Sequence, residues 1–299
     1  MYRPVTAARF FALAACVSLI AAPCWAQTRP PAEAFGQLPV ISQPQLSPDG
    51  KHLAAVKPYK GRPAAYIFEL GAPDAKPVII PYADGLIDGV TWKNNNRLLI
   101  KIKMDMKSGD DFRVNAWFRT VAVDTAGENP AIMFARSASK DKNYSASEIA
   151  DIDLDDPDHV YMPLWSDFGD GDYRNLLFRV DVNDGHHELS VRGGGKTQDW
   201  IMDGHGHVVA RIDLYHSPLT DHLLLYQNED WKDVANFDAS GGLGAGIAGL
   251  TDDGNGLVQN VVDDKMGTAG LVRLSLPDLK PQSLFFDKKY DVDEILHDP

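Results

Sequence analysis

Leu46-Ser47-Pro48-Asp49-Gly50-Lys51-His52-Leu53 is the stretch that decides the fold. An apolar residue leads into a polar turn, and a second apolar strand leaves it. Asp and Gly tolerate the positive φ angles that tight hairpins require, and Ser and Pro favour the entry into such a turn. The same plan returns as Val90-Thr-Trp-Lys-Asn-Asn-Asn-Arg-Leu98 and as Ile152-Asp-Leu-Asp-Asp-Pro-Asp-His-Val160. It returns twice more, as Ile201-Met-Asp-Gly-His-Gly-His-Val208 and Leu250-Thr-Asp-Asp-Gly-Asn-Gly-Leu257. Intervals of 44, 62, 49 and 49 residues separate the starts of these turns. A unit of roughly 40–50 residues built from short strands is the size of one four-stranded propeller blade.

Working outward, short alternating or apolar runs surround each turn. They include His52–Val56, Tyr66–Leu70, Arg97–Lys103, Trp117–Val123, Leu176–Val182, His207–Leu214, His222–Tyr226 and Leu271–Leu276. Helical periodicity is scarce, and clusters of Asp, Gly, Asn and Pro punctuate the runs, which predicts an all-β chain. Two further polar turns, Val121–Glu128 and Phe178–Gly185, predict a second hairpin within their units. One unit cannot bury both faces of its sheet alone, so copies must stack. The expected fold is therefore a β-propeller over residues 35–299, with five repeats visible. The longest interval predicts an inserted loop around Ser137–Ser147, and Tyr290–Pro299 reads as the start of a sixth blade. Trp92, Trp117, Trp165, Trp200 and Trp231 recur about once per blade and are expected to pack between blades.

The first 26 residues differ from the rest. Arg3 and Arg9 precede the apolar run Phe10–Ala22, Pro23 breaks it, and Cys24-Trp25-Ala26 places small residues before Gln27. Charge, apolar run and small-x-small predict a secretory signal cut between Ala26 and Gln27. The run is shorter than the roughly 20 residues needed to span a bilayer. Leu13-Ala14-Ala15-Cys16 resembles a lipoprotein box, but little apolar sequence precedes it. Residues 27–34 form a polar, Pro-rich lead. Cys16 and Cys24, the chain's two cysteines, both lie in the signal, so the exported part is expected to lack thiols. Formal net charge is −13, and the signal carries arginines but no acid. So acidic a protein repels nucleic acid and anionic membrane surface. No later run approaches membrane-spanning length.

The turn Leu46-Ser-Pro-Asp-Gly-Lys-His-Leu-Ala54 resembles a repeat shared by TolB propellers and by propellers of the prolyl oligopeptidase (S9) family of serine peptidases. Phe35-Gly-Gln-Leu-Pro-Val-Ile-Ser-Gln-Pro-Gln-Leu-Ser-Pro-Asp-Gly50 is similar to the opening of exported, acylaminoacyl-peptidase-like S9 enzymes. So are Tyr66–Leu70, Trp92–Ile100 and Phe286-Asp-Lys-Lys-Tyr-Asp-Val-Asp293. The resemblance implies a propeller of usually seven blades, here incomplete, that gates peptide access to an α/β-hydrolase domain. In that domain the nucleophile lies in a Gly-x-Ser-x-Gly elbow. No such elbow occurs in this chain, and Gly241–Gly249 has no serine. No catalytic residue can be carried over, and the chain alone is expected to be inactive. A paired-Glu helix for a substrate amino terminus is not found either.

Other constellations are weighed on their chemistry. Asp151-x-Asp153-x-Asp155-Asp156-x-Asp158 has the look of a calcium loop. An EF-hand, however, needs Gly sixth and Glu twelfth, where this chain has Asp156 and Met162. A blade turn is the expectation. Asp167, Asp170 and Asp172 read as an acidic loop. His186-His187 and His205-x-His207 lie in turns without an evident third ligand, so no metal is assigned. Gly193-Gly-Gly-Lys196 lacks the spacing of a phosphate loop and reads as a connection between blades. No cofactor is expected.

Two readings follow. In the first, the chain is the non-catalytic propeller portion of an exported S9-like peptidase, its partner a peptide substrate of a hydrolase domain absent from this chain. In the alternative, it is a TolB-like propeller that binds a protein or peptide in the cell envelope. The exported compartment is the periplasm or the exterior, and no oligomeric state follows from the residues.

Overall fold

A computed structural model describes residues 36, 39–72, 74–107, 114–135, 145–166, 171–242, 244–292 and 295. The chain divides into two units, Met1–Leu38 and Pro39–Pro299. Of the first, Gly36 alone is described. The expected signal, its Ala26–Gln27 cut and the polar lead lie outside the described residues.

The second unit is a succession of five antiparallel sheets. The first contains β1 (Ser42–Leu46), β2 (His52–Tyr59), β3 (Arg62–Glu69) and β4 (Val78–Ile80). The second contains β5 (Leu86–Asn94), β6 (Arg97–Lys107), β7 (Val114–Asp124) and β8 (Ala131–Ile132), and β9 (Ser145–Ala146) joins β7 in parallel. The third has β10 (His159–Ser166), β11 (Arg174–Asp181) and β12 (His187–Arg192). The fourth has β13 (Thr197–Met202), β14 (Val208–His216), β15 (Leu219–Gln227) and β16 (Asp230–Asp238). The fifth has β17 (Ile247–Leu250), β18 (Gly256–Val262), β19 (Ala269–Ser275) and β20 (Lys280–Phe285). Strands follow chain order across each sheet, as successive hairpins dictate.

Four of the five recurring turns join a first strand to a second, and local chemistry explains why. In the first sheet Ser47 Oγ donates to Asp49 Oδ1 at 2.8 Å, and Gly50 N–H donates to Ser47 O at 2.8 Å. In the fifth sheet Thr251 Oγ1 donates to Asp253 Oδ1 at 2.6 Å, and Gly254 N–H donates to Thr251 O at 2.8 Å. The two turns are the same device, and Gly50 and Gly254 supply its positive φ angles of 68° and 66°.

The core is a set of layers between sheets. Successive strand residues point to opposite faces. Leu98 therefore packs with Ala54, Ile67 and Val90 between the first two sheets, whereas Leu99 packs with Val160 and Leu176 between the second and third. Leu177 joins Trp200 and Met202 between the third and fourth. Ile201 joins Leu223, Leu257 and Leu274 between the fourth and fifth. Sheets covered on both faces and stacked in chain order are propeller blades.

One expectation needs correction in detail. The third sheet lacks a full first strand: Asp151 makes an isolated bridge to Tyr161, and Asp153, at a φ of 49°, then turns the chain away. Of the expected sixth-blade start, the described Val292 N–H donates to Ala269 O on the fifth sheet at 3.0 Å, and residues 293, 294 and 296–299 lie outside the described residues. Of the expected insertion, residues 136–144 lie outside the described residues. Among the described residues no helix is long and apolar enough to cross a membrane.

Candidate functional site

First strands of three sheets and one inter-sheet segment line an open cavity of about 1220 Å³, called the channel below. The first sheet contributes Gln43 to Gln45, the second Asp88 to Thr91, the segment between β9 and β10 Ser147 to Ala150, and the fourth Gln198 and Asp199. Leu99, Lys101, Thr120 and Pro163 complete the wall from the next strands.

A common irregularity shapes this wall. The register slips between Ser42 and Gln45 in β1, between Ile87 and Gly89 in β5, and between Thr197 and Asp199 in β13. β17 slips likewise between Ile247 and Gly249. A bulge leaves a residue unpaired and re-aims its side chain. In β13 the result breaks strand alternation: Gln198 and Asp199 are consecutive and both exposed, next to fully buried Thr197.

Side chains hold the bulges in place. Gln43 Nε2 donates to Asp88 O at 2.7 Å, and Trp92 Nε1 donates to Gln45 O at 3.1 Å, which ties β1 to β5. Asn175 Nδ2 donates to Gln198 O at 3.0 Å, which ties β13 to the third sheet. Buried Thr120 donates to Ser147 O at 3.2 Å and closes the wall between them.

The charges of the channel come from separate sheets. Lys101 Nζ lies 3.6 Å from Asp88 Oδ2 and 5.1 Å from the Phe118 ring centre, so this pair is locally neutral. Among the described residues no ion pair reaches Glu148 or Asp199. Asp199 stays open to solvent, and partial desolvation by the atoms around it pushes its carboxyl pKa up, against the Trp200 N–H bond that lowers it.

The constellations weighed in the sequence have other partners. Asp151 accepts from Asp153 N–H and Gly204 N–H, and Asp153 accepts from Asp155 and Asp156 N–H. The Lys93 ammonium donates to the carbonyls of Ile152 and Asp153. The acidic run is thus a turn that receives a lysine from the neighbouring sheet. His205 pairs with Asp155 at 3.0 Å and His207 with Asp203 at 2.9 Å, so the two rings diverge to different carboxylates. The His187 ring packs 4.9 Å from Phe134 and 5.4 Å from Phe178, and burial pushes its pKa down. Among the described residues no group of three His, Cys, Asp or Glu is placed to hold a metal. Asp167 and Asp170 lie outside the described residues.

At the glycine run, Gly194 N–H donates to Thr197 Oγ1 at 2.9 Å, and Lys196 lies 3.5 Å above the Tyr215 ring. That is a connection between sheets, not a phosphate cradle. Trp92 and Trp200 are buried between sheets, as expected. The channel residues were not singled out in the sequence. The available signal was position: each lies on or beside the first strand of its unit.

The sequence matches no protein-family model and no curated protein. Solved structures are similar in fold. An acylaminoacyl peptidase in complex with Z-Gly-Gly-Phe-chloromethyl ketone aligns at a TM-score of 0.50 and 16% identity, over 86% of this chain and 41% of its own. An acylaminoacyl peptidase from Pyrococcus horikoshii aligns at 0.50 and 14% identity, over 83% of this chain and 39% of its own. The β-propeller domain of the trilobed protease from Pyrococcus furiosus aligns at 0.49 and 14% identity, over 86% of this chain and 76% of its own. This chain therefore spans about two fifths of the length of the two peptidases it resembles.

Proposed function

We propose that this chain is the propeller portion of an exported S9-like serine peptidase, and that peptides pass through or dock in its channel on the way to a hydrolase domain. The observation that carries this reading is the channel itself, bordered by the first strands of the first, second and fourth sheets and by the segment between β9 and β10. Its volume, 1220 Å³, exceeds the roughly 300–1,000 Å³ of small-molecule pockets and suits an extended peptide. The shared fold with two acylaminoacyl peptidases, one holding a peptide-derived ketone, supports the same class of ligand. The role is passage and selection. The Ser-His-Asp chemistry belongs to the other domain.

Photo-crosslinking tests this. A neutral hexapeptide with a central photoreactive residue should crosslink to residues 43–45, 88–91, 147–150 or 198–199. The purified chain should leave acylaminoacyl chromogenic substrates intact. Crosslinks confined to the outer strands, or turnover by the chain alone, overturn the reading. Export is tested separately by sequencing the amino terminus of the protein recovered outside the cytoplasm, where Gln27 should come first.

A further inference from the structure

We infer that the channel selects cationic peptides, and that Glu148 and Asp199 are the selecting residues. The inference rests on the peptide-channel reading and adds the substrate class to it.

The geometry carries the argument. Three carboxylates line the cavity, Asp88 from β5, Glu148 from the segment between β9 and β10, and Asp199 from β13, and a single lysine, Lys101, accompanies them. Lys101 pairs with Asp88. Among the described residues of the wall, the carboxylates of Glu148 and Asp199 remain without a cation. Both side chains are exposed to the cavity. Asp199 reaches it because the β13 bulge turns two consecutive residues outward, and the Asn175 bond to Gln198 fixes that bulge.

An ammonium group entering beside Asp199 and Glu148 meets two carboxylates that no described cation pairs. A carboxylate entering there meets two like charges and is repelled, most strongly at low salt. A free amino terminus, a lysine or an arginine therefore enters favourably, and an acidic segment is repelled.

The test is fluorescence anisotropy on the full chain at pH 7 and low salt, with two labelled hexapeptides that differ only in carrying Lys or Glu. The Lys peptide should bind at least about tenfold more tightly, and the difference should shrink as salt rises. Asp199→Asn and Glu148→Gln should each weaken the Lys peptide by about fivefold and leave the Glu peptide no weaker. Asp252→Asn, in the exposed turn of the fifth sheet, controls for overall charge and should change neither. Asn at 199 keeps the oxygen that accepts from Trp200 N–H, and unchanged circular dichroism confirms the fold of each variant. Equal binding of both peptides overturns the charge selection and leaves the peptide channel standing. So does an Asp199→Asn, Glu148→Gln pair that behaves like Asp252→Asn. Binding of neither peptide overturns both.

Discussion

The Lys93 ammonium, on the first strand of the second sheet, donates to the main-chain carbonyl of Asp153 at 2.6 Å. The cation held by the Asp-rich turn of the third sheet is thus a side chain of its neighbour. Lys93 also donates to Ile152 O and is only 4% exposed. Desolvation pushes its pKa down, and Asp153, Asp156 and Asp151 oppose the shift.

Replacing Lys93 by Met keeps most of the aliphatic volume and orphans two carbonyls. Each buried unsatisfied acceptor costs about 1–3 kcal/mol. Lys93→Met should therefore lower unfolding free energy by about 3 kcal/mol, read as a fall in the urea midpoint at unchanged slope. A variant as stable as the parent would show that the bond is incidental to docking the second and third sheets.

Leu176 and Leu177 are adjacent, fully buried, and belong to different inter-sheet layers. Truncation of either to Ala removes methyl groups from a close-packed layer, at a cost of about 2–5 kcal/mol. Because both faces of the sheet are structural, the two losses should be similar in size. A surface strand would show one large and one small loss. Chemical denaturation of the two single variants makes the comparison.

Gly206 and Gly254 separate two consequences of adding a Cβ. Both have positive φ, 80° and 66°. A Cβ at Gly254 meets nothing within 4 Å, whereas one at Gly206 meets Asp153 Oδ2 at 2.8 Å and Tyr161 OH at 3.1 Å. Gly254→Ala should cost only the left-handed backbone penalty, about 1–2 kcal/mol. Gly206→Ala should cost more, because Asp153 and Tyr161 must shift. Thermal melts should rank Gly206→Ala below Gly254→Ala; the reverse order would mean that the turn of the fourth sheet repacks without loss.

The recurring turns were legible because their cause is local. Ser47, Asp49 and Gly50, like Thr251, Asp253 and Gly254, complete the turn from their own side chains and φ preferences, so the pattern is visible in any single copy. The outer strands were not. β20, Lys280–Phe285, is exposed along its whole length and carries no alternation of burial to read. β16, Asp230–Asp238, is largely polar because it lies on a sheet edge. Asp291 and Val292 bond back to Ala269 on the fifth sheet, a tertiary contact that no local pattern announces. The channel was illegible for another reason. Its wall joins residues from separate repeats, and the bulges that aim Gln198 and Asp199 into it break the two-residue period on which strand reading depends.

Asp49 and Asp253 give a pH signature of the turns. The Ser47 hydroxyl and Lys51 N–H hold the Asp49 carboxylate at a pKa of about 2, and the Thr251 hydroxyl, Asn255 N–H and Arg273 do the same for Asp253. Folded values below the ordinary value of about 3.9 mean that these bonds support the fold at higher pH. Their contribution is lost as pH falls from near 4 through about 2. Carboxyl NMR titration should place both midpoints near 2. Ser47→Ala should raise that of Asp49 alone.

Asp199 should behave in the opposite sense. Burial raises its folded pKa, so between the ordinary carboxylate value and that raised value the folded state binds more protons than the unfolded chain. Stability then falls as pH rises through this window, because ionised Asp199 is partly desolvated in the fold. Asp199→Asn removes the ionisation. Its unfolding free energy should match the parent at pH 3 and exceed it at pH 7, measured by urea denaturation at both values. The same substitution is expected to weaken binding of a cationic peptide. A variant that gains stability and loses affinity together would identify Asp199 as a charge kept for its ligand at the expense of the fold. Equal stability at pH 7 would show instead that channel water solvates this carboxylate as well as bulk solvent does.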